Sequence, residues 1–424
     1  MPEGQERSGS GGKPFDIDKR WFAGAWEQVR ANKGGPGVDG VTLEAFGERL
    51  DDNLYKLWNR MSSGTYFPSP VKAVPIPKSG GGTRWLGVPT VADRVAQAVV
   101  ARLAGAQAEQ VFVEDSYGFR PGRGALDAVR AARRRCLEFD WVVDLDIAKF
   151  FDSVDHGRLL QIVEWLRWLR WPRWAVICVE RWITAPVAMP DGTSVPRDKG
   201  TPQGGVISPV LANLYLHVAF DVWMGREFPD VPFERYADDA ICHCRTRMRA
   251  ERLVGALRER FAEVGLELHP EKTKIVYCKD SNRRGGGLPY PTRFVFLGFE
   301  FRARTVKGPN GLYDCFLPAA DPAKLAGLRQ AIRAWRIPRR TAATWGDLAS
   351  WLNPWARGWL GYYAAFSPWA VLPVLKYLNA KLLAWMRSKY RLRSVRRALA
   401  RWDRVTRVGR GLFFHWRHTT FAHS

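Results

Sequence analysis

The amino-acid sequence predicts an α+β protein, a small antiparallel sheet with helices on one face, followed by a basic helical module. Three observations lead there. Strand-like runs such as WVVDLDI (141–147) and TRFVFLGFEF (292–301) alternate with longer segments of helical period. Gly- and Pro-rich stretches, among them NKGGPGVDG (32–40) and GTPQGGVISP (200–209), punctuate these elements. From Ala320 to Ser424, finally, helical spacing prevails, and twenty Lys and Arg face only three acids, Asp321, Asp347 and Asp403.

Residues 1–14 are Gly, Ser and polar, the composition of a disordered tail. From Ile17 to about Leu57 the pattern is helical, broken by the turn-rich NKGGPGVDG. VKAVPIPKSGGGTRWLGVP (71–89) reads as two short strands around a Gly-rich turn, with a helix from Ala92 to about Phe112 after it. Beyond SYGFRPGRG and another helix, WVVDLDI is a strong strand and His156–Trp168 a helix. GTPQGGVISP opens a long apolar helix to about Met224. A strand pair surrounds YADD (236–239), a helix covers Arg249–Val264, and KTKIVYC and TRFVFLGFEF supply later strands. The composition changes near residue 305, which divides the chain into 15–305 and 306–424.

Charge narrows the function. The 424 residues carry 65 Lys and Arg against 42 Asp and Glu, a net charge of +23, so a polyanionic partner is expected. The last quarter holds most of that surplus together with nine Trp, a composition suited to phosphate backbones and stacked bases. The Trp themselves read as core; the Arg, with so few acids among them, do not read as a neutralised face. There is no apolar run of membrane-spanning length and no leader-like start. A cytoplasmic or nucleoid-associated protein without membrane contact is therefore expected. The six Cys lack CxxC spacing and read as reduced core residues, Cys242 and Cys244 included.

Two adjacent aspartates, Asp238 and Asp239, interrupt the apolar YADDAICHC, where a strand disfavours Asp and burial opposes charge. At a hairpin tip both can reach one cation. WVVDLDIAKFFDSVDH adds Asp144 and Asp146 on one strand face, with Asp152 beyond its end. Hard carboxylate oxygens suit Mg²⁺, and two such ions about 3.5–4 Å apart can activate a 3′-hydroxyl and stabilise a departing pyrophosphate.

Nine blocks in order strengthen this: NKGGPGVDGVTLEAF, PKSGGGTRWLGVPTVADRV, YGFRPGRGALDAV, DLDIAKFFDSVDH, GTPQGGVISPVLANLYL, YADD, HPEKTKIVY, FVFLGFEF and NPWARGWLGYY. Over about Trp21 to Phe414 the chain resembles bacterial group II intron-encoded reverse transcriptase/maturases. The resemblance implies a right-hand polymerase of fingers and palm (15–305), with an antiparallel sheet bearing the YADD hairpin, and an α-helical, RNA-gripping thumb/maturase domain (306–424).

By that resemblance, Asp146, Asp238 and Asp239 form the catalytic, metal-binding set, and Ile147 adds a backbone carbonyl to the second of two Mg²⁺ ions, which Mn²⁺ can replace. Asp144 and Asp152 become neighbours. Phe151 matches the aromatic that blocks a ribose 2′-hydroxyl, Lys78 and Arg84 the cations on the incoming triphosphate, and Gln203, Gly204 and Gly205 the block packed on nucleotide and template. Lys272 or Lys274 is a candidate general acid or phosphate contact, and Gly298 marks a close approach to the primer end. The implied partners are an RNA template or intron RNA, a DNA primer and dNTPs. The implied function is RNA-directed DNA synthesis with assistance to splicing and mobility. Two alternatives are an RNA-binding splicing factor that needs no polymerase activity and a reverse transcriptase recruited to antiviral defence. The ending HWRHTTFAHS has no paired CxxC, so no nuclease is expected.

Overall fold

The computed structural model describes residues 13–77, 82–165, 171–283, 289–309 and 311–418. Its backbone divides into two units built from separated segments. One takes the described residues up to Gly124 with Leu145–Cys242 and Met248–Thr273; the other takes Ala125–Asp144, His243–Arg247 and the described residues from Lys274 onward.

In the first unit, the helix Arg20–Asn32 buries Phe22, Ala25, Trp26 and Val29, the i, i+3, i+4, i+7 stripe of an amphipathic helix. It packs against Val91–Ala108, whose N-terminal half is buried nearly all round through Val91, Val95, Ala96, Val99 and Val100. Thr90 caps that helix by accepting from the Asp93 amide. The buried Asp93 carboxylate in turn accepts from the Tyr66 and Thr90 hydroxyls and the Ser69 amide. The helices Leu43–Glu48 and Leu50–Ser62 follow the break that NKGGPGVDG predicts.

The strands Val71–Pro77 and Thr83–Val88 form an antiparallel hairpin with Lys72 opposite Val88 and Pro77 opposite Thr83. The other edge of Val71–Pro77 meets Val187–Ala188, in parallel, at Val71 and Lys72 alone among the described residues. Pro75 and Pro77, which have no N–H, fall beyond that ladder, where a strand tolerates them. This parallel contact lies outside the strands that flank YADD and is not read from the sequence. Its short strand has no apolar run long enough to announce it. The helix after GTPQGGVISP also differs from the single rod expected: Ser208–Leu216 widens into a π turn, His217–Asp221, and resumes to Glu227. The widened turn carries two polar side chains, His217 and Asp221, into an apolar interior.

In the second unit, Trp141–Asp144 pairs antiparallel with Lys274–Tyr277, placing Asp144 opposite Lys274. The strand Arg293–Phe296 and the long hairpin Phe299–Gly308 and Gly311–Ala320 form a three-stranded antiparallel sheet. Strand structure therefore runs through residue 305. Leu297 and Gly298, both at positive φ, make the tight turn between the first two strands. Four helices follow, Pro322–Ala334, Trp345–Tyr363, Leu372–Lys389 and Val395–Val408, around a core that includes Leu352, Leu378, Leu382, Trp385 and Trp416. Trp359 and Trp402 are buried as well, while Trp355 and Trp369 stay exposed. Two asparagines hold the segment 412–416. Asn379 Oδ1 accepts from His415, in the tautomer protonated at Nε2, and from the Trp416 indole. Asn353 donates to the Leu412 carbonyl and accepts from the Phe414 amide. No helix among the described residues is long and apolar enough to cross a membrane.

Candidate active site

The strands Phe233–Tyr236 and Asp239–Cys244 pair with Tyr236 opposite Asp239, so Ala237 and Asp238 alone make the turn. Ala237 has a φ of 57°, a left-handed conformation that disfavours any side chain and persists only when the surroundings impose it. Those surroundings are identifiable. The segment before Gly118 lies flat along the hairpin: the Arg235 amide donates to the Asp115 carbonyl at 2.9 Å and the Tyr117 amide to the Arg235 carbonyl at 2.7 Å. A Cβ on Gly118 would overlap the Ala237 amide nitrogen, so the backbones approach this closely because residue 118 is glycine.

The Arg235 side chain fixes the turn from within. Its Nε and Nη2 each donate to the Asp221 carboxylate at 2.6 Å, Nη1 donates to Asn213 Oδ1 at 3.0 Å and to the Ala237 carbonyl at 3.1 Å, and Nη2 also reaches Ser116 Oγ at 2.9 Å. These contacts engage all five guanidinium donors. Burial drives the Asp221 carboxyl upward, but the charge and hydrogen bonds of Arg235 outweigh it and hold the group below its ordinary range.

Asp238, half-buried at the tip, is shifted the other way. Burial raises its carboxyl and the nearby charge of Asp146 raises it further, against smaller lowering effects from its own backbone and Arg235. Asp146 is pinned from behind, since its carbonyl accepts from the His269 amide at 2.7 Å and the Thr273 hydroxyl at 3.3 Å. The next residue, Ile147, bridges to Leu268. Lys272 Nζ stands 3.4 Å from Asp146 Oδ2, so of the two lysines singled out in HPEKTKIVY it is the one brought to this carboxylate. Lys274 lies opposite Asp144 in the other unit.

Among the described residues, no group of three or more His, Cys, Asp or Glu side chains could hold a metal ion. Asp146 and Asp238 are close enough to feel each other's charge, and Asp239 opens the return strand. The donors still fit a hard divalent cation: two mutually repelling carboxylates, one of them resisting ionisation, are the pair whose charge a cation would relieve.

Of the remaining residues singled out in the sequence, Arg84, Phe151, Gln203, Gly204 and Gly205 fall elsewhere in the first unit. Lys78 lies outside the described residues. Arg84 is exposed on Thr83–Val88, opposite Ile76. Phe150 is core at 2% exposure, whereas Phe151 is half-buried, its ring edge-on to Phe150 at 5.3 Å. The Gln203 carbonyl accepts from the Gly87 amide. Gly204 has a φ of 130°, and a Cβ there would stand 2.5 Å from the Gly87 carbonyl oxygen, so glycine is required at that crossing. Beside Gly204 and Gly205 opens a cleft of about 820 Å³ whose walls include Lys33, Arg94, Arg102 and Phe119. Phe119 also packs on Tyr236, ring centroids 6.1 Å apart.

Sequence reasoning misses Arg235, Asp221, Asn213 and Ser116. The available signal is Asp221 in the apolar LYLHVAFDVW and Arg235 in the buried strand before YADD, two opposite charges that each need a partner inside. In the second unit, Ala398, Trp402 and Thr406 are the buried stripe of Val395–Val408. Arg393, Arg396, Arg397 and Arg404 are exposed on and beside that helix.

Comparison with known proteins agrees with this architecture. Residues 76–301 match the family described as reverse transcriptase (RNA-dependent DNA polymerase), and residues 325–403 match the group II intron, maturase-specific domain. The chain is similar to protein YkfC of Escherichia coli K12, 31% identical over 322 residues that cover 66% of this chain and 79% of YkfC. It is also similar to the group II intron-encoded protein LtrA of Lactococcus lactis subsp. cremoris, 30% identical over 202 residues, 46% of this chain and 32% of LtrA. A 91 kDa protein in the cob intron of Schizosaccharomyces pombe is 27% identical over 207 residues, 48% of this chain and 25% of that one.

Proposed function

The chain belongs to the group II intron reverse transcriptase and maturase family, and from that premise we propose that it copies RNA into DNA and binds intron RNA to assist splicing and mobility. The observation that carries the polymerase proposal is the Asp146–Asp238 pair, two interacting carboxylates of which Asp238 sits at a strained turn that Arg235 locks in place.

In this proposal Asp146, Asp238 and Asp239, with the Ile147 carbonyl, hold two Mg²⁺ ions, or Mn²⁺ in their place. When bound, such ions lower the pKa of the primer 3′-hydroxyl and neutralise charge on the leaving pyrophosphate. The chain's own groups do the rest. Lys78 and Arg84 neutralise the triphosphate. Gln203 and Gly204 let the backbone lie against the nascent base pair, and Phe151 stands where a ribose 2′-hydroxyl would go. Lys272, beside Asp146, is placed to meet the departing phosphates. The 820 Å³ cleft, with its basic walls and Phe119, suits the template strand. The exposed arginines around Val395–Val408 suit the RNA backbone, and we assign the RNA-gripping unit to residues from about 306.

Primer extension on an RNA template with dNTPs and MgCl₂ tests the proposal. Extension by the wild-type chain and none by the Asp238→Ala, Asp239→Ala double variant is the expected result; equal extension by both overturns the site. A second reading, an RNA-binding splicing factor without polymerase activity, is favoured by the fact that no three-carboxylate group converges among the described residues. It requires tight RNA binding and no extension by either protein.

A further inference from the structure

A second, smaller cavity of about 160 Å³ lies on the other side of the Leu86–Gly87 crossing, walled by Trp85, Asp152, Arg197, Lys199, Thr201 and Gln203. At ~30 Å³ per water it has room for about five waters, enough for a phosphate group. Two buried polar atoms on its wall, Arg197 Nη1 and Thr201 Oγ1, have no hydrogen-bond partner among the described residues. Thr201 is only 3% exposed. Burial opposes the Arg197 charge, and the neighbouring Asp152 offsets this only in part. Natural interiors rarely leave such donors unmade, and each one calls for an explanation.

The backbone that presents these groups is firmly held. Lys199 bridges to Asp155, the Gly200 amide donates to the Val154 carbonyl and the Thr201 amide to the Phe151 carbonyl, both at 2.7 Å, and His156 Nε2 lies 2.8 Å from the Gly200 carbonyl. Gly200 has a φ of 83°, and a Cβ there would press on Phe151 and Asp152 backbone atoms. These contacts fix the backbone that carries Lys199 and Thr201, beside the unpartnered Nη1 of Arg197. Opposite it, Trp85 exposes 47% of its surface.

We propose that Arg197, Thr201 and Lys199 form a phosphate-binding subsite, separate from the Asp146–Asp238 pair, that takes one phosphate of a nucleotide unit whose base rests on Trp85. The guanidinium supplies paired donors, the hydroxyl a third, and the lysine a second charge. The phosphate belongs either to a nucleic-acid strand or to a free nucleotide. The proposal rests on the nucleic-acid function above, but its test reads binding alone and so holds even for a chain that does not polymerise.

The test uses the full chain as wild type, Arg197→Gln, Arg197→Lys and Thr201→Val. Equilibrium binding is measured for a labelled RNA template annealed to a DNA primer across a KCl series, and for a labelled dNTP on that duplex, with thermal melting alongside. If the phosphate is a strand's, Arg197→Gln lowers the slope of log affinity against log salt by roughly 0.7–0.9, and Arg197→Lys keeps it. If it is a nucleotide's, duplex binding holds and dNTP affinity falls about tenfold in Arg197→Gln, as expected when a charge-assisted hydrogen bond is removed. Thr201→Val weakens the same ligand more mildly. In both cases Arg197→Gln melts close to wild type, because Nη1 makes no hydrogen bond that the change would break. Unchanged binding of both ligands in Arg197→Gln and Thr201→Val overturns the proposal. So does a lower melting temperature without selective loss of either ligand, which would make Arg197 a structural residue.

Discussion

Arg235 and Asp221 meet through a double hydrogen bond, 2.6 Å at each arm, with both side chains at 1% exposure or less. The same guanidinium holds the carbonyl of Ala237, so an ion pair in the interior sets the geometry of the Ala237–Asp238 turn. Asp221→Ala leaves that guanidinium buried without its partner. Stability should fall by about 3–5 kcal/mol, read as a lower urea midpoint at unchanged slope, and extension should fail even in the fraction that folds. Arg235→Lys should not rescue it, since an ammonium lacks the planar fork. A midpoint within error of wild type would show the pair to be dispensable.

Gly118 gives a second handle on the turn. A methyl group there overlaps the Ala237 amide, so Gly118→Ala should lower kcat for nucleotide addition at least tenfold while template–primer affinity stays put. A loss of affinity with kcat intact would place the effect elsewhere.

Phe151 tests sugar selection. Phe151→Ala should raise ribonucleotide incorporation relative to deoxyribonucleotide incorporation by tenfold or more, with dNTP incorporation largely kept. An unchanged ratio would return Phe151 to the packing around Phe150.

The basic face of the second unit should behave as a phosphate-binding surface. Replacing Arg393, Arg396 and Arg397 with Ala should weaken RNA binding and reduce the salt slope by roughly 0.7–0.9 for each phosphate no longer neutralised. If the slope does not move, that face does not touch RNA.

His415 carries the pH dependence of the second unit. It is fully buried, and burial, aided by His418, lowers its imidazole to about 4 from an ordinary 6.5. The unfolded chain therefore accepts a proton that the folded chain refuses. The neutral ring's contribution is whole above pH 6.5 and declines as pH falls toward 4, by about 3 kcal/mol across that window. Denaturant unfolding of wild type and His415→Leu between pH 7 and 4 checks this: the variant's stability should fall less steeply with acid, and parallel curves would exclude His415 as the cause.

The outline of this fold is legible where the sequence concentrates local constraints. The Gly-rich crossing at Gln203–Gly204 and the two-residue turn at Ala237–Asp238 are signalled by glycines and by charge in an apolar strand, both short-range signals. The stripe Phe22, Ala25, Trp26 and Val29 announces its helix by period alone. What escapes is non-local. Arg235 finds Asp221 from fourteen residues away in another element, and the sequence marks each as costly without saying that they pair. The choice of Lys272 over Lys274 beside Asp146 depends on where the His269–Thr273 turn ends, and the two-residue strand Val187–Ala188 exists only because Val71–Pro77 offers it an edge.

The most direct test of the central claim is single-nucleotide extension by Asp238→Asn, measured beside its thermal stability. The amide keeps the shape of the carboxylate and removes a charge that burial and Asp146 both oppose. A turn built for catalysis predicts that the variant melts no lower than wild type, and somewhat higher, while nucleotide addition falls by at least a thousandfold. Extension near the wild-type rate, or a variant that loses activity only by unfolding, would contradict it.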